Sequence, residues 1–179
     1  GARVLAVCNT NSSTIPRESD AVLYTHAGPE IAVASTKAFV TQIVAVYLIG
    51  LKLAQVRGQL NEKEIRGLYL EMLELPAKVE QILETIEPLR SLTRTFASNN
   101  TVLFLGRGIE FPIALEGALK LKELAYIHAE GFAGGELKHG PIALIEDGTA
   151  VIAILPTADE HQLDEKMLSN IQEVKARGA

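Results

Sequence analysis

The fold is decided by residues 101–125, which read TVLFLGRGIEFPIALEGALKLKELA. After Thr101, residues 102–105 form an unbroken apolar run, which ends at the Gly-Arg-Gly tripeptide of residues 106–108. The residues that follow are rich in Ala and Leu and predict a helix that carries Glu116. A strand that is apolar throughout is typical of a parallel sheet covered on both faces, and strands alternating with helices build such sheets. We therefore predict an α/β fold with a parallel sheet.

The same pattern recurs along the chain. Apolar runs predict further strands, so that the buried strands are expected at residues 4–8, 22–24, 102–105 and 151–155. A long helix is predicted from near Glu30 to about Val56, and residues 61–97 have helical periodicity with Pro76 and Pro88 as breaks or helix starts. A last amphipathic helix is predicted at residues 164–179.

Both ends of the sequence fall at a junction between a helix and a strand. We therefore expect a piece of a longer protein: residues 1–58 as the second half of one α/β domain, 59–98 as a helical connector, and 99–179 as the first half of another. Uncovered sheet edges and apolar helix faces predict self-association of such a piece, or recombination of its strands into one sheet.

Composition excludes several classes of protein. Of the 179 residues 47% are hydrophobic, which argues against disorder. The net charge is -5 and the sequence has no run of Lys or Arg, so no nucleic-acid site is predicted. Residues 38–54, AFVTQIVAVYLIGLKLA, are interrupted by Thr41, Gln42 and Lys52, so they predict a buried helix and no membrane span. The lone Cys8 predicts a buried thiol, a reducing, cytoplasmic location and no metal site. No cofactor is predicted.

Three charged residues in the apolar helix predict a functional cluster. Glu116, Lys120 and Glu123 are spaced by four and three residues, so one helical face carries all three. Exposed ion pairs of small energetic value are the alternative interpretation. The surrounding Ala and Leu residues and the position after a strand, where ligands bind in α/β sheets, favour a functional role.

A glycine-rich stretch follows this helix. Residues 128–141, HAEGFAGGELKHGP, place His139 among four glycines and predict either a flexible connector or a shaped wall around a ligand. His139 is poorly placed for a core residue, and an exposed, inert histidine remains the alternative interpretation.

Two long motifs carry a resemblance to a known family. Residues 115–141, LEGALKLKELAYIHAEGFAGGELKHGP, and residues 27–42, AGPEIAVASTKAFVTQ, resemble two signatures of the glutamine–fructose-6-phosphate aminotransferases, the glucosamine-6-phosphate synthases. Residues 6–20, AVCNTNSSTIPRESD, are similar to the segment before the second of these motifs. The resemblance covers essentially the whole chain, and Ala32 departs from the glycine usual in the family.

The resemblance implies a fold and a reaction. Members of the family have two sugar isomerase (SIS) domains in tandem, each a three-layer αβα structure with a parallel, Rossmann-like or flavodoxin-like sheet, so this chain is expected to hold two half-domains. The complete enzyme takes ammonia from glutamine, transfers it to fructose 6-phosphate and isomerises the product to glucosamine 6-phosphate.

The resemblance also implies roles for individual residues. Glu123 would be the base that moves a proton between the first two sugar carbons, Lys120 would help move protons on the sugar oxygens, and Glu116 would help position both. His139 would assist ring opening in the site of a partner subunit, which implies a homodimer. Val33 and Ser35 would line the site of the phosphosugar.

Alternative functions stay open at this point. A phosphosugar-binding regulator has the same fold but requires a DNA-binding module, and another sugar-phosphate isomerase or deglycase shares the looser ELKHGP motif. An assembly segment without enzymatic activity is a further alternative. The resemblance places the family's phosphate-binding loop and Schiff-base lysine outside these residues, so we expect the isolated chain to be inactive.

Overall fold

The computed structural model describes residues 1–95, 97–156 and 163–179, and the chain forms two compact units, Gly1–Glu87 and Pro88–Ala179. The strands are β1 (Leu5–Cys8), β2 (Ala21–Tyr24), β3 (Thr101–Gly106), β4 (His128–Ala133) and β5 (Ala150–Ala153). The α-helices are α1 (Thr14–Glu18), α2 (Lys37–Val56), α3 (Glu62–Leu73), α4 (Leu75–Glu84), α5 (Ile86–Thr95), α6 (Glu110–Ala125) and α7 (Leu163–Lys175). Two 3₁₀ helices cover Gly134–His139 and Pro141–Leu144. The predicted α/β fold with parallel sheets is confirmed.

The first unit contains a sheet of two parallel strands, in which Leu5 pairs with Ala21 and Cys8 pairs with Tyr24. Ala6 is the only buried residue in these two strands. The prediction of strands buried on both faces is therefore wrong here, because the described part of this unit supplies too little apolar cover. Cys8 is likewise half-buried and not buried, with its Sγ 3.6 Å from Ser13 Oγ.

The sequence predicts that helix α2 begins near Glu30, but the helix begins at Lys37. The Glu30 carboxylate instead accepts hydrogen bonds from the backbone and side chain of Thr36, which stabilise an irregular segment before the helix. The buried helix predicted here is also wrong, because Ala45 and Leu51 are its only buried residues. By length and composition α2 is apolar enough to cross a membrane, since it has 20 residues and the mean hydropathy over an 18-residue window is 1.7.

The stretch predicted to be helical contains α3, α4 and α5. The side chain of Asn61 accepts a hydrogen bond from Glu64 N at 3.0 Å, while the Glu64 carboxylate accepts one from Asn61 N at 2.7 Å, which together cap the start of α3. Pro76 lies in the first turn of α4 and Pro88 in the first turn of α5, where a proline costs no helical hydrogen bond. Phe96, within the predicted helical stretch, lies outside the described residues.

The second unit contains a sheet of three parallel strands in the order β4-β3-β5. Its central strand, β3, has five of its six residues buried. Leu103 and Leu105 pack on one face with Leu137 and Met167, and Val102 and Phe104 pack on the other with residues of α6. The prediction of a buried strand at residues 102–105 is confirmed, whereas β5 is half-buried and ends at Ala153.

The predicted glycine-rich loop is partly regular structure. Residues 128–133 form β4, and the two 3₁₀ helices follow it. Gly131 allows this, because a Cβ there would lie 3.0 Å from the backbone of Leu115 in α6. Gly131 therefore allows close packing between β4 and α6. The sequence pattern alone indicates a loop at this position.

Candidate functional site

The turn between β3 and α6 places the candidate cluster. A Cβ at Gly106 would lie 2.7 Å from the backbone nitrogen of Phe111, and Gly108 has a φ of +57°, so both positions favour glycine. The resulting tight turn starts α6 directly after the carboxyl end of β3. At the other end, Tyr126 adopts the left-handed conformation with a φ of 56°, which ends the helix before β4.

Helix α6 has two different faces. Ala114 and Ala118 are buried against the sheet, which leaves the charged residues on the opposite side. There Lys120 Nζ lies 2.8 Å from Glu123 Oε2 and 3.2 Å from Glu116 Oε1. These three side chains are 22–29% exposed. The predicted cluster is thus assembled within one helix, with a single ammonium shared between two partly shielded carboxylates.

The electrostatics of the cluster keep Lys120 charged. Its hydrogen bond to Glu123 raises the pKa of the Lys120 ammonium, and the hydrogen bond and charge of Glu116 act in the same direction, while burial opposes them. A lysine of this kind is protonated at neutral pH. It therefore acts as a hydrogen-bond donor or acid and not as a base.

The 3₁₀ helix Gly134–His139 presents His139 at the surface. Leu137 is fully buried, and Lys138 Nζ lies 2.9 Å from Glu173 Oε1 of α7. Two anchors thus precede the exposed imidazole. Among the described residues, no hydrogen bond or ion pair joins His139 to the cluster on α6, and its role stays a prediction.

A chain of hydrogen bonds that the sequence analysis missed supports this 3₁₀ helix. Arg107 Nη1 donates to Asn170 Oδ1 at 2.8 Å, and Asn170 Nδ2 donates to Glu173 Oε2 at 3.3 Å. A Cβ at Gly134 would lie 2.6 Å from Asn170 Oδ1, so the glycine is needed for this approach. The hydrogen bond from Lys138 lowers the pKa of the Glu173 carboxyl, as does the one from Asn170. In the sequence, the pair Gly134 and Gly135 is the only local sign of this close approach.

The predicted sugar-wall residues lie in the first unit. Val33 is 81% exposed, and Ser35 Oγ donates a hydrogen bond to Glu30 Oε2 at 3.2 Å. Asn9, directly after β1, donates to Gly28 O at 2.7 Å and accepts from Ala27 N at 2.9 Å. Ala27 and Gly28 therefore lie beside the carboxyl end of β1, where ligands bind in α/β proteins.

The described residues contain no group of three or more His, Cys, Asp or Glu side chains placed to hold a metal ion. What the site residues do offer is proton chemistry: two carboxylates, one ammonium and a surface imidazole.

Sequence comparison relates the chain to known proteins. The SIS domain family matches residues 1–52 and 95–179. The chain is 62% identical over 180 residues to a glutamine–fructose-6-phosphate aminotransferase (isomerizing) of Streptomyces coelicolor, covering 100% of this chain and 29% of the relative. The corresponding protein of Mycobacterium tuberculosis is 59% identical over 179 residues, 99% of this chain and again 29% of the relative. The chain thus spans less than a third of these relatives.

Structural comparison gives the same assignment of the fold. The C-terminal domain of a glucosamine-fructose-6-phosphate aminotransferase from Francisella tularensis superimposes with a TM-score of 0.91 and 43% identity, over 97% of this chain and 48% of that one. A glucosamine-6-phosphate deaminase from Thermotoga maritima matches with a TM-score of 0.67 and 25% identity, over 99% of this chain and 50% of that one.

Proposed function

Because this chain belongs to the SIS domain family, we propose that it is part of the isomerase region of a glutamine–fructose-6-phosphate aminotransferase. The proposal rests on the shared ammonium of the α6 cluster, in which Lys120 contacts Glu116 and Glu123 within 3.2 Å. Identity of 62% to the Streptomyces coelicolor enzyme along the whole chain supports it. The proposed substrate of the complete protein is fructose 6-phosphate, and the proposed product is glucosamine 6-phosphate.

In the proposed mechanism Glu123 is the base. Moving a proton between adjacent carbons beside a carbonyl or imine requires a base in direct reach of the carbon-bound proton, and a carboxylate can serve as that base. The Lys120 ammonium stands 2.8 Å from that carboxylate and supplies a donor for the neighbouring sugar oxygen. Glu116 holds the ammonium from the other side at 3.2 Å, which limits its conformations.

The remaining site residues belong to the proposal as well. His139 assists ring opening in the site of a neighbouring subunit of a homodimer, and its exposure on an anchored 3₁₀ helix supports such a role. Val33 and Ser35 line the sugar site. We further propose residues 1–58 and 99–179 as half-domains joined by the helices of residues 59–98, in a cytoplasmic enzyme.

Helix α2 fits this proposal as a domain helix. The SIS domain match extends to residue 52 and so includes most of α2. Its polar interruptions, Gln42 and Lys52, also lie within the helix. We therefore propose that other parts of the longer enzyme cover its apolar face, in place of a membrane.

A different sugar-phosphate enzyme of the same fold is the second candidate. The Thermotoga maritima deaminase superimposes over 99% of the chain, but its identity is 25%. The 43% identity and TM-score of 0.91 to the Francisella tularensis aminotransferase domain favour the first candidate.

A chimera tests the proposed function. In it, the aligned 180-residue segment of the Streptomyces coelicolor enzyme is replaced by this chain. We expect the chimera to make glucosamine 6-phosphate from glutamine and fructose 6-phosphate, as measured by mass spectrometry. A folded chimera without product, beside an active parent enzyme, would contradict the proposal.

The isolated chain provides the complementary experiment. Incubated with fructose 6-phosphate and ammonium, it should give no product, because the phosphate-binding and Schiff-base groups of the family are expected elsewhere. Turnover that Glu123→Gln abolishes would show that these 179 residues hold a complete site.

A further inference from the structure

The segment before α2 is held by one carboxylate. Glu30 Oε1 accepts hydrogen bonds from the backbone nitrogen and the hydroxyl of Thr36, both at 2.7 Å, and Glu30 Oε2 accepts one from Ser35 Oγ at 3.2 Å. Ala34 is 2% exposed and anchors the backbone here, but the neighbouring side chains pack little, because Ile31 is 96% exposed and Val33 is 81% exposed. The hydrogen bonds to Glu30 therefore determine where the Ser35 hydroxyl lies.

The same carboxylate also determines which way that hydroxyl points. A serine hydroxyl has one proton to donate, and an ionised carboxylate can only accept. The hydrogen bonds from the side chain and backbone of Thr36 lower the pKa of Glu30 to about 2, so the carboxylate is ionised at every physiological pH. The proton of Ser35 is thus committed to Glu30, and its lone pairs are left for another partner.

We propose that Glu30 is a positioning residue that fixes Ser35 Oγ as a hydrogen-bond acceptor, so that this point of the sugar wall selects a substrate hydroxyl. A phosphate or carbonyl oxygen, which cannot donate, is disfavoured there. The inference rests on the proposed function, in which Ser35 contacts the sugar. It adds that Ser35 contacts a substrate hydroxyl and that Glu30 determines this preference.

The first test uses this chain and needs no activity. The carboxyl ¹³C shift of Glu30 is followed against pH in the chain and in Ser35→Ala and Thr36→Val. We expect a midpoint near 2 that moves upward in both variants, and further in Thr36→Val. A midpoint near 4.5 in the unmodified chain, or no movement in Ser35→Ala, would overturn the proposal.

The second test is a double-mutant cycle in the chimera. Ser35→Ala and Glu30→Gln should each raise KM for fructose 6-phosphate by about three- to tenfold, the worth of one hydrogen bond, with a smaller effect on kcat. The double variant should match the larger single effect, because Glu30→Gln acts through the Ser35 hydroxyl that Ser35→Ala removes. The matched control Glu18→Gln, at an exposed glutamate of α1, should combine multiplicatively with Ser35→Ala.

The outcomes separate the two proposals. Multiplicative effects of Glu30→Gln and Ser35→Ala in an active chimera would overturn the role of Glu30 and leave the enzymatic function standing. A chimera that makes no product would contradict the function, and the titration of Glu30 would still decide whether the hydroxyl is fixed.

Discussion

Strands β1 and β3 have similar apolar sequences, LAVC and TVLFLG, but very different surroundings. Leu5 in β1 is 50% exposed, whereas Leu103 and Leu105 in β3 are 1% and 0% exposed. β3 has a strand on each side and packed side chains on both faces, and β1 has one neighbouring strand. An apolar strand therefore indicates that other residues should pack over it. It does not indicate whether those residues belong to the same stretch of chain.

The helices repeat this contrast. Helix α6 buries Ala114 and Ala118 against its sheet, while α2 buries two of its 20 residues, Ala45 and Leu51. In the proposed enzyme the missing cover of the first unit comes from the rest of the longer protein. If this is correct, substitutions in the second unit have their full energetic effect in this chain, and equivalent substitutions in the first unit have little.

The largest expected difference is between two leucines. Leu105→Ala should lower the free energy of unfolding of the second unit by about 2–5 kcal/mol, because it empties a fully buried site. Leu5→Ala should cost less than about 1 kcal/mol in this chain, since half of the side chain is already exposed. Urea denaturation, with hydrogen exchange of the β1 and β3 amides to separate the two units, measures both.

The same pair sharpens the comparison in the chimera. There Leu5→Ala should become clearly more destabilising if the remainder of the enzyme covers β1. If Leu5→Ala lowers the free energy of unfolding by the same amount in the chimera and in the isolated chain, the rest of the enzyme does not cover β1.

Two helical glycines should give effects of opposite sign. A Cβ at Gly117 would lie 2.7 Å from the ring of Phe104, so Gly117→Ala should destabilise the second unit by about 1–3 kcal/mol. Gly50 in α2 has nothing within 4 Å of that position, so Gly50→Ala should stabilise the helix by about 0.5–1 kcal/mol. The helix content and the urea midpoints of the two variants check this, and equal signs would contradict the contrast in packing.

The smallest expected effect is the acid sensitivity of the segment before α2. The folded pKa of Glu30 is about 2 against an ordinary value of 4.5, so its contribution to stability is present above pH 4.5 and is lost as the pH falls towards 2. The Tm of the chain should therefore fall towards that of Glu30→Gln over this interval. Parallel Tm curves for the two proteins would contradict the assignment.

Sequence reasoning succeeded where a local pattern fixes the structure. The spacing of Glu116, Lys120 and Glu123 is enough to place their side chains on one helical face, and the structure brings them within 3.2 Å. Pro76 and Pro88 predict breaks or helix starts for a similarly local reason, and both lie in the first turn of a helix. The apolar run at residues 102–105 identified the central strand of the second sheet.

The sequence does not predict structure that depends on particular contacts outside the helix and strand periodicities. Residues 128–133 looked like a loop because of Gly131, but the close approach of α6 explains that glycine. The start of α2 was misplaced because the Glu30 carboxylate bonds to Thr36 and not to a helix beginning at Glu30. The hydrogen bond from Arg107 to Asn170 joins residues 63 positions apart, and no periodicity signals such a contact.

The most direct test of the central claim is the activity of the chimera with Glu123→Gln. Glucosamine 6-phosphate and glutamate are measured together, because glutamate release reports whether the remainder of the enzyme is folded and active. We predict a loss of about 10²- to 10⁴-fold in glucosamine 6-phosphate formation, as expected for removal of a general base, with glutamate release retained. The matched variant Glu80→Gln, on the exposed surface of α4, should behave like the unmodified chimera. Sugar-phosphate turnover within tenfold of the unmodified chimera in Glu123→Gln would contradict the assignment of Glu123 as the base.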